Sequence, residues 1–362
     1  LIPTLLWSVG LVSKIDPLLY KTIWWAMGHS SQQINVSAHV AIWYAIAALT
    51  FGARPLSEKV SRTAFLMYIL FLQIASAHHM LVEPGFSSEW KIFNTSYAMY
   101  LAVLGSMVHG MTVPGSIEAA QRARGLTKGM FEWLRKAPWG NPAFAGMFMS
   151  LVFFGFIGGI SGVVMGTEQI NLIMHNTLYV PGHFHGTVVA GTTLAFMAIT
   201  YYLVPLVFRR EIMFMKLAKL QPYLFGIGAA GISVFMMGAG TLGVSRRHWD
   251  MQFADAILPF DYPSAAFLMM GLNGMFAVLA ALGGIAFIVV VVGSVFFGRK
   301  LGNDEKPSYP DVPPQASVVA EHGSAKSLKI PGTTMLVAIF FIAFVLYYFV
   351  NWKYLSEIWP LS

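Results

Sequence analysis

The chain is 362 residues long; 56% of its residues are hydrophobic, 11% are charged, and none is cysteine. Soluble domains usually carry about 25% charged residues, so this composition excludes an ordinary soluble domain and indicates a membrane protein. The lack of cysteine excludes disulfides, thiolate metal ligands and iron–sulfur clusters. Any metal must therefore be held by histidine, carboxylate or methionine.

Apolar runs of about 20 residues, the length that a membrane-spanning helix needs, recur along the chain and predict about eight spans. In chain order they lie near residues 17–49, 63–82, 92–113, 143–166, 183–208, 222–244, 264–297 and 332–351. Residues 1–12 look like the end of one more helix, and the chain opens at Leu1 inside this apolar run, so we expect N-terminal helices to precede it. The predicted fold is an all-α, polytopic transmembrane bundle that forms a single domain over residues 1–362.

Basic residues alternate from loop to loop, which predicts the orientation of the bundle. Segments 54–62, 122–136, 209–219 and 299–329 contain 17 of the 23 Lys and Arg residues. Eight helices of alternating direction bring all four segments to one side, and the positive-inside rule makes that side cytoplasmic. The net charge of +7 therefore reflects contact with a cell's inner membrane and its lipid, and we expect no nucleic-acid partner. Residues 299–330, which are polar and rich in proline, are predicted to form a cytoplasmic linker.

Five histidines are predicted to share one depth in the outer part of the membrane: His29, His78, His79, His183 and His185. Ionisable side chains inside spans are expensive and usually functional, and imidazole suits copper and iron. The adjacent His78 and His79 can join His29 around one metal at a helix end. His183 and His185 lie two residues apart and point ~200° apart on a helix. They therefore suit two haems on opposite faces of that helix better than one shared metal.

These histidines stand in segments that resemble the haem-copper oxidases. Residues 24–29 are similar to the W-x-x-G-H segment of that superfamily, and residues 78–85 to its H-H-x-x-x-D-P-G segment, with Glu83 in place of Asp. Residues 175–185 resemble the haem-ligating H-N-T…V-P-G-H-F-H segment. The details favour the B-type branch, and the resemblance to its subunit I runs along the whole chain.

The resemblance implies a terminal reductase with two haems, one low-spin and one high-spin, and one non-haem metal, Cu or Fe. It assigns the non-haem metal to His29, His78 and His79, the high-spin haem to His183, and the low-spin haem to His185. Contacts to haem propionates are implied for three further residues, His175, Arg246 and Arg247. In the B-type pattern an Asp lies four residues before the histidine that corresponds to His175, whereas this sequence has Asn171 at that position.

The resemblance also implies partners. The second axial ligand of the low-spin haem has to come from the N-terminal part of subunit I or from a separate chain, because the one unused histidine near the right depth, His248, lies in a predicted loop. An electron-accepting subunit II and a donor, cytochrome c or quinol, are implied as well.

Gln33 is the departure from the family pattern that bears on the reaction. Oxygen reductases of A and B type carry at this position a Tyr that is bonded to the first metal-ligand His and supplies an electron and a proton. A carboxamide has no accessible redox couple, although at ~40° from His29 on the helix it should still line the pocket. Tyr68, on the neighbouring helix, lies ~15 Å too deep by helical rise to replace that Tyr.

Reduction of two nitric oxide molecules to nitrous oxide takes two electrons and two protons, so that reaction needs no Tyr. Nitric oxide reductases carry a Glu at the position of Gln33. The sequence therefore predicts a nitric oxide reductase with Gln33 and His29 at its catalytic site. A B-type cytochrome c oxidase that reduces oxygen and pumps protons is the alternative, and a third reading is an inert haem-bearing or transporter-like subunit.

Protons are predicted to reach the site from the cytoplasm along two helices. Gln33, Ser37 and Tyr44 lie at roughly 40°, 80° and 60° from His29 and form one polar stripe on their helix. On the helix near 92–113, Ser106, His109 and Thr112 are predicted to lie at the inner depth of Tyr44. The B-type pathway also uses hydroxyl residues on these two helices, although Val40 replaces its other Tyr. The alternative is that these side chains only hydrogen-bond their own backbones.

Overall fold

The computed structural model describes residues 2–247, 262–307, 309 and 329–358. Within them the secondary structure is helical, apart from two isolated bridges between extended residues. The α-helices are α1 Ile2–Ser8, α2 Pro17–Phe51, α3 Glu58–Ile74, α4 Ser88–Ile92, α5 Met99–Ala123, α6 Glu132–Arg135, α7 Pro142–Phe153, α8 Ile160–Met165, α9 Glu168–Met174, α10 Tyr179–Phe184, α11 Leu194–Val207, α12 Met215–Thr241, α13 Ser264–Phe297 and α14 Pro331–Ile358. The predicted all-α bundle is confirmed.

Four non-α segments continue these helices. A 3₁₀ segment, Ala75–Met80, follows α3, and π-helices span Phe93–Ala98, Phe154–Gly159 and His185–Thr193. The last two join α7 to α8 and α10 to α11, so each pair runs as one long helix with a widened turn inside it. Such π segments and 3₁₀ ends often mark functional sites.

Local sequence explains where α2 begins and ends. Asp16 accepts hydrogen bonds from the backbone N–H groups of Leu18 and Leu19, and Pro17 occupies the first helical turn, where its missing N–H costs nothing. Gly52 ends the helix in the left-handed region, at φ 62°. The result is a 35-residue helix long enough to run ~50 Å and to carry polar side chains at several depths.

Six helical segments in the described residues are long and apolar enough to cross a membrane: Pro17–Phe51, Pro142–Met165, Tyr179–Val207, Met215–Thr241, Ser264–Phe297 and Pro331–Tyr354. Two of the eight predicted spans fall outside this set, although both are helical. α3 is only 17 residues long before the 3₁₀ segment, and α5 carries polar side chains and runs past the predicted end near 113 to Ala123. The count of about eight spans stays a prediction.

Several predicted boundaries move. The span predicted from 183 begins at Tyr179, so His183 lies a full turn inside its helix, and the span predicted from 222 begins at Met215. The end predicted near 82 is a 3₁₀ segment rather than α-helix. In the predicted linker, residues 299–307, 309, 329 and 330 are described and α14 begins at Pro331, whereas His248 lies outside the described residues.

Glycines let α12 and α13 pack backbone to backbone as an antiparallel pair. A Cβ at Gly228 would lie 2.4 Å from the backbone nitrogen of Ala280, and one at Gly283 would lie 2.4 Å from the backbone nitrogen of Phe225. No real side chain tolerates those distances. The outer face of α13 remains apolar and exposed, as expected for contact with lipid or with other parts of the protein.

The main hydrophobic core lies between α2, α7 and α11 and contains the buried side chains of Trp43, Phe144 and Tyr202. On α2 it begins at Val36 and continues to Phe51.

A buried carboxylate holds the last helix. Glu118, near the end of α5, has no exposed surface. Its two oxygens accept hydrogen bonds from the backbone N–H groups of Gly332 and Thr333, at 3.0 and 2.6 Å, in the first turn of α14. Arg122, one turn further along α5, donates to the same carboxylate at 2.7 Å. An anion at a helix N-terminus is favoured by the free N–H groups and by the helix dipole.

Candidate metal centre

The structure brings His29, His78 and His79 together. Nδ1 of His29 lies 3.0 Å from Nε2 of His79, and one nitrogen from each of the three rings can be chosen so that all lie within 4.8 Å of one another. Two nitrogens bound to one metal at ~2.0 Å lie about 3 Å apart. Only 6% of the surface of His78 is exposed. The spacing of this trio therefore fits a single metal ion held by three imidazoles.

The two adjacent histidines can share a site because they lie on the 3₁₀ segment Ala75–Met80. The ring of His78 meets His29 edge-on, with centroids 4.2 Å apart, and the ring of His79 stacks on the indole of Trp25 at 4.0 Å and 5°. Trp25 can fold back in this way because Gly28 leaves room: a Cβ there would lie 2.2 Å from the indole. The W-x-x-G-H spacing thus orients one imidazole of the trio.

Gln33 lies one turn along α2 from His29, as predicted. Its side-chain amide lies 2.9 Å from Nε2 of His29, at hydrogen-bonding distance, and the tautomer of the ring decides which of the two groups donates. The group at this position beside His29 is therefore a neutral carboxamide. It cannot supply the electron or the titratable proton of a tyrosine.

The ring of His183 packs against α8. Its Nδ1 lies 3.0 Å from the hydroxyl oxygen of Ser161, and a Cβ at Gly162 would lie 2.9 Å from its Cε1. Nδ1 of His185 instead faces the backbone oxygen of Pro181, at 2.7 Å. A backbone oxygen accepts, so Nδ1 of His185 carries the hydrogen and its Nε2 is free to bind a metal.

Polar residues gather near the N-terminal end of α2. Glu83 pairs with Lys21, and Nε2 of His175 lies 3.9 Å from a Glu83 oxygen. Burial lowers the pKa of the His175 imidazole, and Arg246 lowers it further. Arg246 donates from Nε and Nη2 to the side-chain oxygen of Asn176, at 3.2 and 3.1 Å. The H-N-T segment and the arginine pair are therefore neighbours.

Backbone contacts bring the H-N-T segment and the arginine pair together. Thr177 and Ser245 form an antiparallel bridge, and the N–H of Arg246 donates to the carbonyl of Asn176 at 2.8 Å. Asn176 and Arg247 both have left-handed backbones, at φ 60° and 68°. The sequence indicated the two segments separately; their pairing needs contacts between distant residues that no local pattern contains.

Toward the C-terminal end of α2, Tyr44 and His109 make direct contact. The hydroxyl of Tyr44 lies 3.0 Å from Nδ1 of His109 and donates to Ser61 at 3.1 Å. The hydroxyl of Ser106 bonds instead to Tyr68, at 2.8 Å. Sequence reasoning missed Ser61, and it considered Tyr68 only as a substitute for the active-site Tyr.

The two other predicted members of this route are Ser37 and Thr112. Ser37 is half-buried on α2. Thr112 donates its hydroxyl to the carbonyl of Val108 in its own helix, at 2.7 Å, which is the backbone bonding that the alternative interpretation expected, and its side chain also hydrogen-bonds Tyr44. The structure therefore brings Tyr44 and His109 together and leaves gaps between them and Gln33.

Comparison with known proteins agrees with this geometry. Residues 1–272 match the family described as Cytochrome C and Quinol oxidase polypeptide I. Cytochrome c oxidase subunit 1 of Thermus thermophilus is 34% identical over 320 residues, covering 87% of this chain and 54% of that protein. The same subunit of Eremothecium gossypii is 26% identical over 236 residues, covering 64% of this chain and 40% of that protein.

Among solved structures, a heme-copper terminal oxidase dimer studied by cryo-EM matches with a TM-score of 0.75 and 26% identity, covering 95% of this chain and 58% of that one. The chain thus spans about half the length of the curated relatives it matches. The match over residues 1–272, the shared bundle and the three clustered histidines lead to one conclusion: the chain belongs to the cytochrome c and quinol oxidase polypeptide I family, the subunit I family of the haem-copper oxidases.

Proposed function

We propose that this chain is the catalytic part of a membrane-bound terminal reductase that reduces nitric oxide to nitrous oxide. The observation that carries the proposal is the amide of Gln33, 2.9 Å from His29, where an oxygen reductase of A or B type needs a tyrosine. The second candidate, a cytochrome c oxidase that reduces oxygen, is favoured by the relatives, which are cytochrome c oxidase subunits.

Electron counting separates the two reactions. Reduction of dioxygen takes four electrons, one of them from the tyrosine, whereas reduction of two nitric oxide molecules takes two electrons and two protons. When bound, the high-spin haem and the non-haem metal supply those two electrons and the binding site for the gas. Gln33 then contributes an uncharged N–H donor to the pocket, which suits a bound N–O group and leaves the redox chemistry to the metals.

The residue roles follow the family pattern. His29, His78 and His79 hold the non-haem metal, Cu or Fe; three neutral imidazoles suit either ion. His183 binds the high-spin haem, and His185 binds the low-spin haem. In this proposal the second low-spin ligand comes from residues outside this chain, in the N-terminal part of subunit I or a separate polypeptide.

The outer polar residues suit haem propionates. Arg246 and Arg247 offer guanidinium donors, which bind carboxylates through charge-assisted hydrogen bonds, and His175 lies beside them. Electrons would come from cytochrome c or quinol through a subunit II, and the complex would lie in the inner membrane with the basic loops in the cytoplasm.

We propose further that protons enter from the cytoplasmic side through Tyr44 and His109, supported by their 3.0 Å contact. Ser37, Ser106 and Thr112 stand as secondary members of this route. In the purified complex, Tyr44→Phe should slow turnover while haem and metal content stay at wild-type levels. Wild-type turnover in both Tyr44→Phe and His109→Ala would remove this route.

The decisive experiment compares gas uptake by the purified, fully assembled complex with a chemical reductant. Consumption of nitric oxide with release of nitrous oxide, and little oxygen uptake, is the expected result. Rapid oxygen uptake would favour the oxidase, and a wild-type complex that lacks a non-haem metal would favour an inert subunit. Gln33→Tyr is an informative variant, since a gain of oxygen uptake would tie the difference to this position. Ile34→Tyr, on the exposed neighbouring residue, serves as its control.

A further inference from the structure

Ser161 lies directly behind the imidazole of His183. Its side chain has no exposed surface, and its oxygen is 3.0 Å from Nδ1 of the ring. The same oxygen lies 2.5 Å from the carbonyl of Ile157 and 3.0 Å from the carbonyl of Gly158. A buried hydroxyl therefore has three polar neighbours, two of them carbonyl acceptors and one a ring nitrogen.

The number of available hydrogens decides which group donates. A serine hydroxyl has a single hydrogen, and the shortest contact, to the Ile157 carbonyl, takes it. The oxygen then faces His183 with lone pairs only, so Nδ1 of His183 must carry a hydrogen and donate it to Ser161. The single hydrogen on Nδ1 is shared between Ser161 and the backbone of Gly158, which the ring also hydrogen-bonds. With Nδ1 protonated, Nε2 has a free lone pair on the opposite side of the ring, as a metal ligand requires.

The local backbone puts Ser161 there. The π-helix Phe154–Gly159 ends one residue before α8, and its wider turn changes which residues face α10. Gly162 supplies the space, because a Cβ there would lie 2.9 Å from Cε1 of His183. Adjacent residues thus have complementary parts: Ser161 accepts from the ring nitrogen, and Gly162 leaves room for the ring.

We propose that Ser161 is a positioning residue that sets the tautomer, orientation and electron-donating strength of His183 as the ligand of the high-spin haem. This inference rests on the role proposed above for His183. The hydroxyl accepts more strongly because it donates to Ile157. A hydrogen bond accepted from the far nitrogen of an imidazole ligand raises the ligand's basicity, and a more basic ligand favours ferric over ferrous iron.

The test uses the assembled holoenzyme and three variants. Ser161→Ala removes the hydroxyl acceptor and leaves the Gly158 backbone as the remaining partner of the ring, Ser161→Thr keeps a hydroxyl, and Ser233→Ala is the matched control. Ser233 is also fully buried, and its hydroxyl donates to the carbonyl of Gly182 in α10, the helix that carries His183. The readouts are the iron–histidine stretching frequency of the reduced high-spin haem, by resonance Raman spectroscopy, and the reduction potential of that haem.

Ser161→Ala should lower the stretching frequency and shift the ferric–ferrous balance about fivefold toward the ferrous form, which is ~40 mV for a one-electron couple at 59 mV per tenfold. Ser161→Thr and Ser233→Ala should keep the wild-type values. If Ser161→Ala fails to retain haem, Ser161→Thr decides: a wild-type frequency supports the inference and an altered one overturns it.

Two failures can be told apart. An iron–histidine frequency and a potential that Ser161→Ala leaves unchanged would overturn the role of Ser161 and leave the proposed reaction untouched. An iron–histidine band that persists in His183→Ala would instead remove His183 as the ligand, and with it the assignment of the site.

Discussion

Substitution of Gly162 by alanine should damage the haem site although alanine is the better helix former. The new Cβ would lie 2.9 Å from Cε1 of His183, whereas carbon atoms in contact stay ~3.5–4.0 Å apart, so the ring has to move by roughly 0.6–1.1 Å. Overpacking of that size costs about 1–3 kcal/mol. It also stretches the 3.0 Å contact to Ser161 beyond hydrogen-bonding range.

The assay is loss of the high-spin haem from the purified complex to a haem-scavenging protein, followed optically. A cost of about 1–3 kcal/mol corresponds to haem binding that is roughly 5- to 150-fold weaker. Gly155→Ala is the control, because its Cβ would meet only the ring of Phe340, at an ordinary 3.7 Å. Equal haem retention and identical spectra in wild type, Gly162→Ala and Gly155→Ala would refute the reasoning.

Three further substitutions probe packing, the metal site and a surface ion pair. Gly283→Ala should lower the free energy of unfolding by ~1–3 kcal/mol through overpacking, whereas Gly284→Ala, with nothing within 4 Å of its Cβ, should raise it by up to ~1 kcal/mol; thermal unfolding in detergent measures both. Gly28→Ala should displace the stacked indole and reduce non-haem metal content, measured by elemental analysis. Arg299→Gln should lower the unfolding temperature near neutral pH, and this difference from wild type should shrink in acid. The reason is that hydrogen bonding to Arg299 holds the pKa of Glu305 at about 2, below its ordinary 4.5, so the pair's stabilisation is present above 4.5 and is lost as the pH falls toward 2.

Each of these has a control and a contrary outcome. Equal stability of the two neighbouring glycine variants would contradict the close approach of α12 and α13. Gly110→Ala, with open space at its Cβ, should keep wild-type metal content, and a loss there equal to that in Gly28→Ala would point to a general effect of alanine. For the ion pair, Lys306→Gln should show the same dependence of unfolding temperature on pH as the wild type. The same dependence in Arg299→Gln would show that the pair adds no stability.

Sequence reasoning reached the metal site because depth in a membrane is a one-dimensional quantity. Counting residues from each predicted boundary placed His29, His78 and His79 at one level, and the spatial cluster followed from helices that run side by side. The same counting placed Tyr44 and His109 at one inner depth, where the structure has them in contact.

What the sequence could not predict depends on departures from regular helix. The 3₁₀ segment under His78 and the π-helix before Ser161 change the facing of side chains, and periodicity at 3.6 residues per turn does not register them. The stack of Trp25 on His79 was missed because it depends on the empty space at Gly28, which becomes visible only once the ring has a position. A lone glycine in an apolar helix carries no such information in sequence.

The buried carboxylate of Glu118 also bears on how this chain can be divided. It binds the first turn of α14 directly. The position of α14 along the bundle is therefore set by this contact with α5 and does not depend on the length of the chain that leads to it. Closing a longer flexible connection costs only about 0.6 kcal/mol per doubling of its length. We therefore expect insertions before Pro331 to leave the contact of α14 with Glu118 unchanged.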